Sequence, residues 1–284
     1  MVAMGNTLSG RTAVVTGAAT GIGEASARLL SERGANVVVV DQNGDGATEV
    51  AESMPGPAIA VRADVAAEHD VAAYMEAAAD AFGQVDLHHL NAGIIGPFDP
   101  LPEVRMEDFD RVIAVNLRGA FLGVRAAFRQ YLQQGTGGAV VVTASIGSLR
   151  GSHDLLSYQA SKHGVLGVVR GAAMYGGPMG VRVNAVAPGL VPTELFASSG
   201  DAPGAGSDME QRGRTVPMRR TGTPQEVAHV AAFLLSDEAG YVNGEVVSVD
   251  GGAAWVNSVR PAGGAGRWDP GDIDERISAH PEDV

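Results

Sequence analysis

The chain has 284 residues, 45% of them hydrophobic and 19% charged, with a formal net charge of −13 and no cysteine. That charge would repel a phosphate backbone, which argues against a nucleic-acid partner, and the missing thiols exclude disulfides, thiolate nucleophiles and cysteine-bound zinc. Residues 1–10 lack an apolar signal-peptide core, and no run approaches about 18 apolar residues, so a soluble cytoplasmic protein with no membrane attachment is expected.

Short β-branched runs alternate with longer alanine-rich stretches, the pattern of βαβ units around a parallel sheet. Thr12–Thr16 reads as the first strand and residues 21–33 as a helix. Strands are expected at 36–40 and Ala58–Arg62, a helix at 67–82, and a strand at 85–90. Helices over 106–117 and 119–133 precede a strand at 139–143. Residues 156–175 read as a helix that Gly176-Gly177-Pro178 stops. Strands at 181–187 and Val246–Val249 bring the total to about seven. The expected fold is one doubly wound α/β (Rossmann) domain over residues 1–252, with a seven-stranded parallel sheet. Residues 194–214, rich in Gly, Ser, Asp and Ala, read as a mobile loop, and 253–284 form a C-terminal extension.

Between the first strand and helix lies Thr16-Gly17-Ala18-Ala19-Thr20-Gly21-Ile22-Gly23. Glycine lets a backbone turn sharply and approach a pyrophosphate closely, while a helix N-terminus offers free N–H groups to it. The position between strand and helix strengthens a pattern that is weak alone. Asp41 ends the second strand, 18 residues past Gly23, where a carboxylate accepts hydrogen bonds from ribose hydroxyls. It would repel a 2′-phosphate, and neither Thr20 nor Gln42 supplies a cation, so NAD is expected over NADP.

Tyr158 and Lys162 are four residues apart in the expected 156–175 helix and so share one face. A free phenol, with a pKa near about 10, is a poor base at neutral pH, and a nearby ammonium lowers that value. Ser145 follows the 139–143 strand, at the carboxyl end where open α/β sheets bind ligands.

In order and approximate spacing, the 16–23 turn, Asn91-Ala92-Gly93, Asn116, Ser145, Tyr158-Gln159-Ala160-Ser161-Lys162 and Pro188-Gly189 resemble the short-chain dehydrogenase/reductase family. The resemblance runs from about Thr12 to Gly252, nearly the whole chain. It implies an oxidoreductase that moves a hydride between a nicotinamide cofactor and a small alcohol or ketone. By the same resemblance Tyr158 is the acid/base, Ser145 polarises the substrate oxygen, and Lys162 binds the nicotinamide ribose. Asn116 would hold a water in the proton relay, and Asp64 and Val65 would contact adenine. Asn91, Ala92 and Gly93 would line the cofactor, with Pro188, Gly189, Val191 and Thr193 against the nicotinamide. Family members are commonly tetramers, which here would pair through 156–175, Pro224–Leu235 and Val246–Val249.

Leu90 stands where the family often has a second Asn, which puts the turn geometry in question. His88 and His89 point to opposite faces of a strand and cannot share a metal, so a structural role is expected. His153 faces either substrate or solvent. Trp255 is expected to pack on the core, with 256–284 covering a substrate pocket of this chain or of a neighbour; plain disorder of the tail is the alternative reading. A nucleotide sensor or scaffold on the same fold is the rival reading, since fold does not fix function. Ser145, Tyr158 and Lys162 together speak against it, because a sensor needs no proton relay. Epimerase or dehydratase chemistry is a third reading.

Overall fold

Alternation along the strands decides the layers. In β1 (Thr12–Thr16) and β2 (Asn36–Asp41), successive side chains project to opposite sides of the sheet. Val15, Val37 and Val39 join one core, while Val14, Val38 and Val40 join another. The computed structural model describes residues 8–197 and 209–256. Among these, five more strands complete the sheet: β3 (Ala58–Arg62), β4 (Leu87–Leu90), β5 (Gly138–Thr143), β6 (Val181–Pro188) and β7 (Val246–Val249). All pairings are parallel, in the order β3-β2-β1-β4-β5-β6-β7.

The helices are α1 (Gly21–Glu32), α2 (Gly44–Glu52), α3 (Glu68–Phe82), α4 (Met106–Ile113), α5 (Gly119–Gln134) and α6 (Leu156–Gly176). Two short turns, α7 (Glu194–Ala197) and α8 (Met209–Gly213), precede α9 (Pro224–Leu235). Leu30 of α1, Val50 of α2 and Val227 of α9 cover one face of the sheet. Tyr74 of α3, Phe128 of α5 and Val165 of α6 cover the other. The strand order reverses between β1 and β4, which opens a crevice beyond their carboxyl ends.

Helix α2 was not expected from the sequence. Gly44 and Gly46 disfavour a helix, yet Asn43 caps it by accepting a hydrogen bond from Gly46 N at 3.1 Å. The expected 106–117 helix ends as an α-helix at Ile113, and a π-helical turn over Ala114–Arg118 leads into α5. Segment 194–214 holds the two short helical turns, with 198–208 outside the described residues. No helix among the described residues is long and apolar enough to cross a membrane.

Candidate active site

The carboxyl ends of β1, β2, β4, β5 and β6 open into one cleft of about 620 Å³, a volume suited to a small-molecule site. At one end lies the 16–23 turn. Gly17 and Gly21 have φ of +64° and +59°, values that favour glycine. A Cβ on Gly23 would sit 1.9 Å from Gly17 O, so the first turn of α1 closes on the strand only without a side chain there. Gly23 thus packs behind the cleft, while Gly17, Thr20, Gly21 and Ile22 line it.

Asp41 also lines the cleft. Its Oδ2 accepts from Ala19 N at 3.0 Å and its Oδ1 from Asn43 N at 2.9 Å, which fixes the carboxylate beside the turn. The neighbouring wall carries Gln42 and Asn43, neither of them a cation. Asp64 and Val65 follow β3; Asp64 Oδ1 accepts from Ala66 N at 2.9 Å.

Asn91, Ala92 and Gly93 form the floor. Leu90 does not disturb this turn, because Thr16 Oγ1 accepts from both Asn91 N (3.0 Å) and Ala92 N (3.2 Å). Leu90 is itself buried against α5, where a Cβ on Gly123 would lie 2.6 Å from it. Thr143 Oγ1 donates to Asn91 Oδ1 at 3.0 Å, and Asn91 Nδ2 donates to Gly17 O at 3.2 Å. Thr143 has spent its only proton, so buried His89 must donate Nε2–H to it at 2.9 Å. His88 faces the opposite layer and contacts the Tyr131 hydroxyl at 2.9 Å. Tyr131 donates to Asp86 O, which makes His88 Nδ1 the donor. Burial lowers the two imidazoles to about 3 and about 4, and both are neutral structural groups.

The chemistry-bearing side chains sit on the other wall. Ser145 follows β5 and caps the short turn Ile146–Ser148, its Oγ accepting from Gly147 N at 3.0 Å. It also lies close enough to Tyr158 to lower the pKa of that phenol. Lys162, one turn along α6, is buried and donates Nζ to Thr143 O at 2.7 Å, with Nζ 5.8 Å from the Tyr158 ring centre. Burial lowers the ammonium to about 8. The sequence argument had Lys162 pulling the Tyr158 pKa down. In the structure burial dominates and raises it, and Ser145 is what opposes the rise.

Asn116 lies in the π-helical turn and does not line the main cleft. Its Oδ1 accepts from Ile94 N and its Nδ2 donates to Ile94 O, both at 2.8 Å, with a second donation to Ser161 Oγ at 3.0 Å. Both amide protons are committed, so a water held by this side chain could meet only the spare Oδ1 lone pair. Pro188, Gly189, Val191 and Thr193 line the cleft beyond β6. Sequence reasoning missed Arg111, Ala144 and Leu195 on the cleft wall, which no local motif marks. His153 is exposed and is not among the lining residues. Trp255 corrects an expectation: it is 83% exposed, and Ala253 is the residue buried there. Residues 257–284, including Trp268, lie outside the described residues, as does the cover expected of them.

The glycine cradle and the donor set along the cleft fit a dinucleotide: free helix N–H groups at one end, a fixed carboxylate, and a tyrosine–lysine pair at the other. The family described as enoyl-(acyl carrier protein) reductase matches residues 17–254. A cis-4-hydroxycyclohexanecarboxylate dehydrogenase from Sinomonas cyclohexanicum is 43% identical over 253 residues, 88% of this chain and 98% of the relative. The crystal structure of a short-chain type dehydrogenase/reductase from Mycobacterium marinum gives a TM-score of 0.80 at 31% identity, covering 86% of this chain and 96% of the other. A 3-ketoacyl-(acyl-carrier-protein) reductase from Brucella melitensis, solved with NADH, gives 0.80 at 34% identity, covering 87% and 99%.

Proposed function

The chain belongs to the short-chain dehydrogenase/reductase family, and on that premise we propose that it interconverts a cyclic secondary alcohol and its ketone, with NAD as cofactor. The observation that carries this reading is the placing of Ser145, Tyr158 and Lys162 on one wall of the cleft that also holds the glycine turn and Asp41. The ring substrate is supported by the relative that acts on a hydroxycyclohexane carboxylate.

The nicotinamide, when bound, supplies the hydride chemistry. Thr20, Gly21 and Ile22 at the α1 N-terminus would hold the pyrophosphate, with Gly17 allowing its close approach and Gly23 letting α1 close on the strand behind it. Asp41 would take the adenosine ribose hydroxyls, with Asp64 and Val65 at the adenine. Lys162 and Asn91 to Gly93 would hold the second ribose, and Pro188, Gly189, Val191 and Thr193 the nicotinamide. Tyr158 Oη takes the proton of the substrate hydroxyl during oxidation and returns it during reduction, while Ser145 Oγ hydrogen-bonds the same substrate oxygen. Asn116 acts by fixing Ile94 and Ser161 around this wall. A homotetramer is the proposed assembly.

The test is twofold. Purified protein should change NADH absorbance with cyclohexanol or cyclohexanone, and it should bind NADH at least about tenfold tighter than NADPH, roughly 1.4 kcal/mol. Equal affinities would mean that Asp41 does not face the ribose. No turnover across a panel of cyclic alcohols and ketones would overturn the reaction.

A further inference from the structure

The loop after Ser145 is held from two sides by residues that none of the catalytic assignments uses. With its amide oriented to satisfy its neighbours, Gln159 donates Nε2 to Gly147 O at 2.9 Å and to Arg150 O at 2.5 Å. Its Oε1 accepts from Ser152 N at 3.3 Å. Three hydrogen bonds thus run from one side chain of α6 to the loop. On the far side, Arg150 donates to Ala253 O at 2.6 Å and to Val256 O at 3.3 Å. The loop is therefore pinned to α6 at one edge and to the segment after β7 at the other.

The residue whose carbonyl is pinned is also the one whose N–H touches the chemistry. Gly147 N donates to Ser145 Oγ, and a Cβ on Gly147 would lie 3.2 Å from that oxygen and 3.4 Å from the Tyr158 ring. A serine oxygen that already accepts from a fixed N–H has its own proton free to give. Whatever holds Gly147 in place therefore bears on where the Ser145 hydroxyl points.

We propose that Gln159 is a positioning residue for Ser145, acting through the backbone of Gly147, and that Arg150 is the second pin of the same loop. The proposal rests on the alcohol–ketone reading for its consequence in turnover, but the pins themselves are independent of it. Leucine at 159 would keep the bulk and lose all three bonds. A glutamate there would keep the shape, and only its protonated form can donate, to one of the two carbonyls.

Full-length parent, Gln159→Leu, Gln159→Glu and Arg150→Met are compared by cyclohexanone turnover and by hydrogen–deuterium exchange over residues 146–153. Gln159→Leu should lose at least about tenfold in kcat, within the range of a displaced acid–base constellation, with NADH affinity within about twofold of the parent. Exchange over 146–153 should rise at least about fivefold in Gln159→Leu and in Arg150→Met, since a loop without its pins opens more often. The ratio of Gln159→Glu to parent turnover should rise at least about twofold between about pH 8 and about pH 5, as the carboxyl gains its proton. Arg150, Asp154, Tyr158 and His163 are near in both proteins, so the ratio isolates the new carboxyl. Unchanged exchange would overturn the pins. Faster exchange with turnover within about twofold of the parent, or a flat ratio across that pH range, would overturn the positioning role. A parent that turns over no alcohol or ketone would sink the proposed reaction instead, leaving exchange alone to decide the pins.

Discussion

A phenol that burial holds above its ordinary pKa stays protonated at neutral pH, with its phenolate scarcely populated. Reduction at neutral pH therefore has its proton in place on Tyr158, while oxidation must first populate the phenolate. The oxidation rate should rise with pH well into the alkaline range, read as kcat/KM across a pH series. Tyr158→Phe removes the proton and keeps the ring, so turnover should fall about 10²–10⁴-fold while NADH titrations stay near the parent value. Lys162→Met should damage both readouts, because the ammonium faces the cleft as well as Tyr158. Retained turnover in Tyr158→Phe would mean that another group moves the proton. These side chains were legible in the sequence because their chemistry is local: Tyr158 and Lys162 lie one helical turn apart, and Ser145 closes a strand. Gln159 and Thr143 were not, since each acts through partners distant in sequence. Trp255 was misread because a large aromatic can be buried but need not be; the backbone turn at Ala253–Trp255 aims it outward.

Strand β4 carries a cost that its neighbours do not. His88 and His89 are fully buried and held neutral at about 3 and about 4, against an ordinary value near about 6.5 in the unfolded chain. Both folded values are depressed, so the stability they confer is fully present above about pH 6.5 and is lost as pH falls towards about 4. Each histidine should add about 1.4 kcal/mol per pH unit to the slope of stability in that window. Urea unfolding at a series of pH values should show the slope shrinking in His88→Leu and in His89→Leu; identical slopes would mean that neither imidazole is held neutral. The strands were legible because valine-rich runs of period two have few other destinations. Helix α2 was hidden by its glycines, and the π-helical turn at Asn116 by the tertiary bonds to Ile94 that hold it open. A window of local sequence contains neither signal.

Among the described residues, α5 and α6 together expose a group of large apolar side chains outside the cleft. Met174 is 83% and Tyr175 66% exposed, with Leu132 and Phe121 also open, and Tyr175 packs on Phe128 of α5 at 5.7 Å between ring centres. A helix pair with that much apolar surface is a natural contact between copies of the chain. Light scattering at micromolar concentration should give a multiple of the 29.0 kDa chain, and the double variant Met174→Glu, Tyr175→Glu should give a smaller species with unchanged NADH affinity. A monomeric parent would refute the tetramer.

The packing of α9 on α1 also dictates how the protein must be made. On the ribosome, the apolar face of α1 and β1 emerges early, but Pro224 follows Glu32 by 192 residues. At roughly 5–20 residues per second that is about 10–40 s in which a valine-rich surface waits for its cover. Nascent chains long enough to have formed β1 and β2 but not α9 are the species that chaperones should meet. A chain stopped before Thr223 should accumulate in the pellet on expression, whereas one ending after Val256 should stay in solution. Equal solubility of the two would mean that the sheet tolerates that bare face through the whole of synthesis.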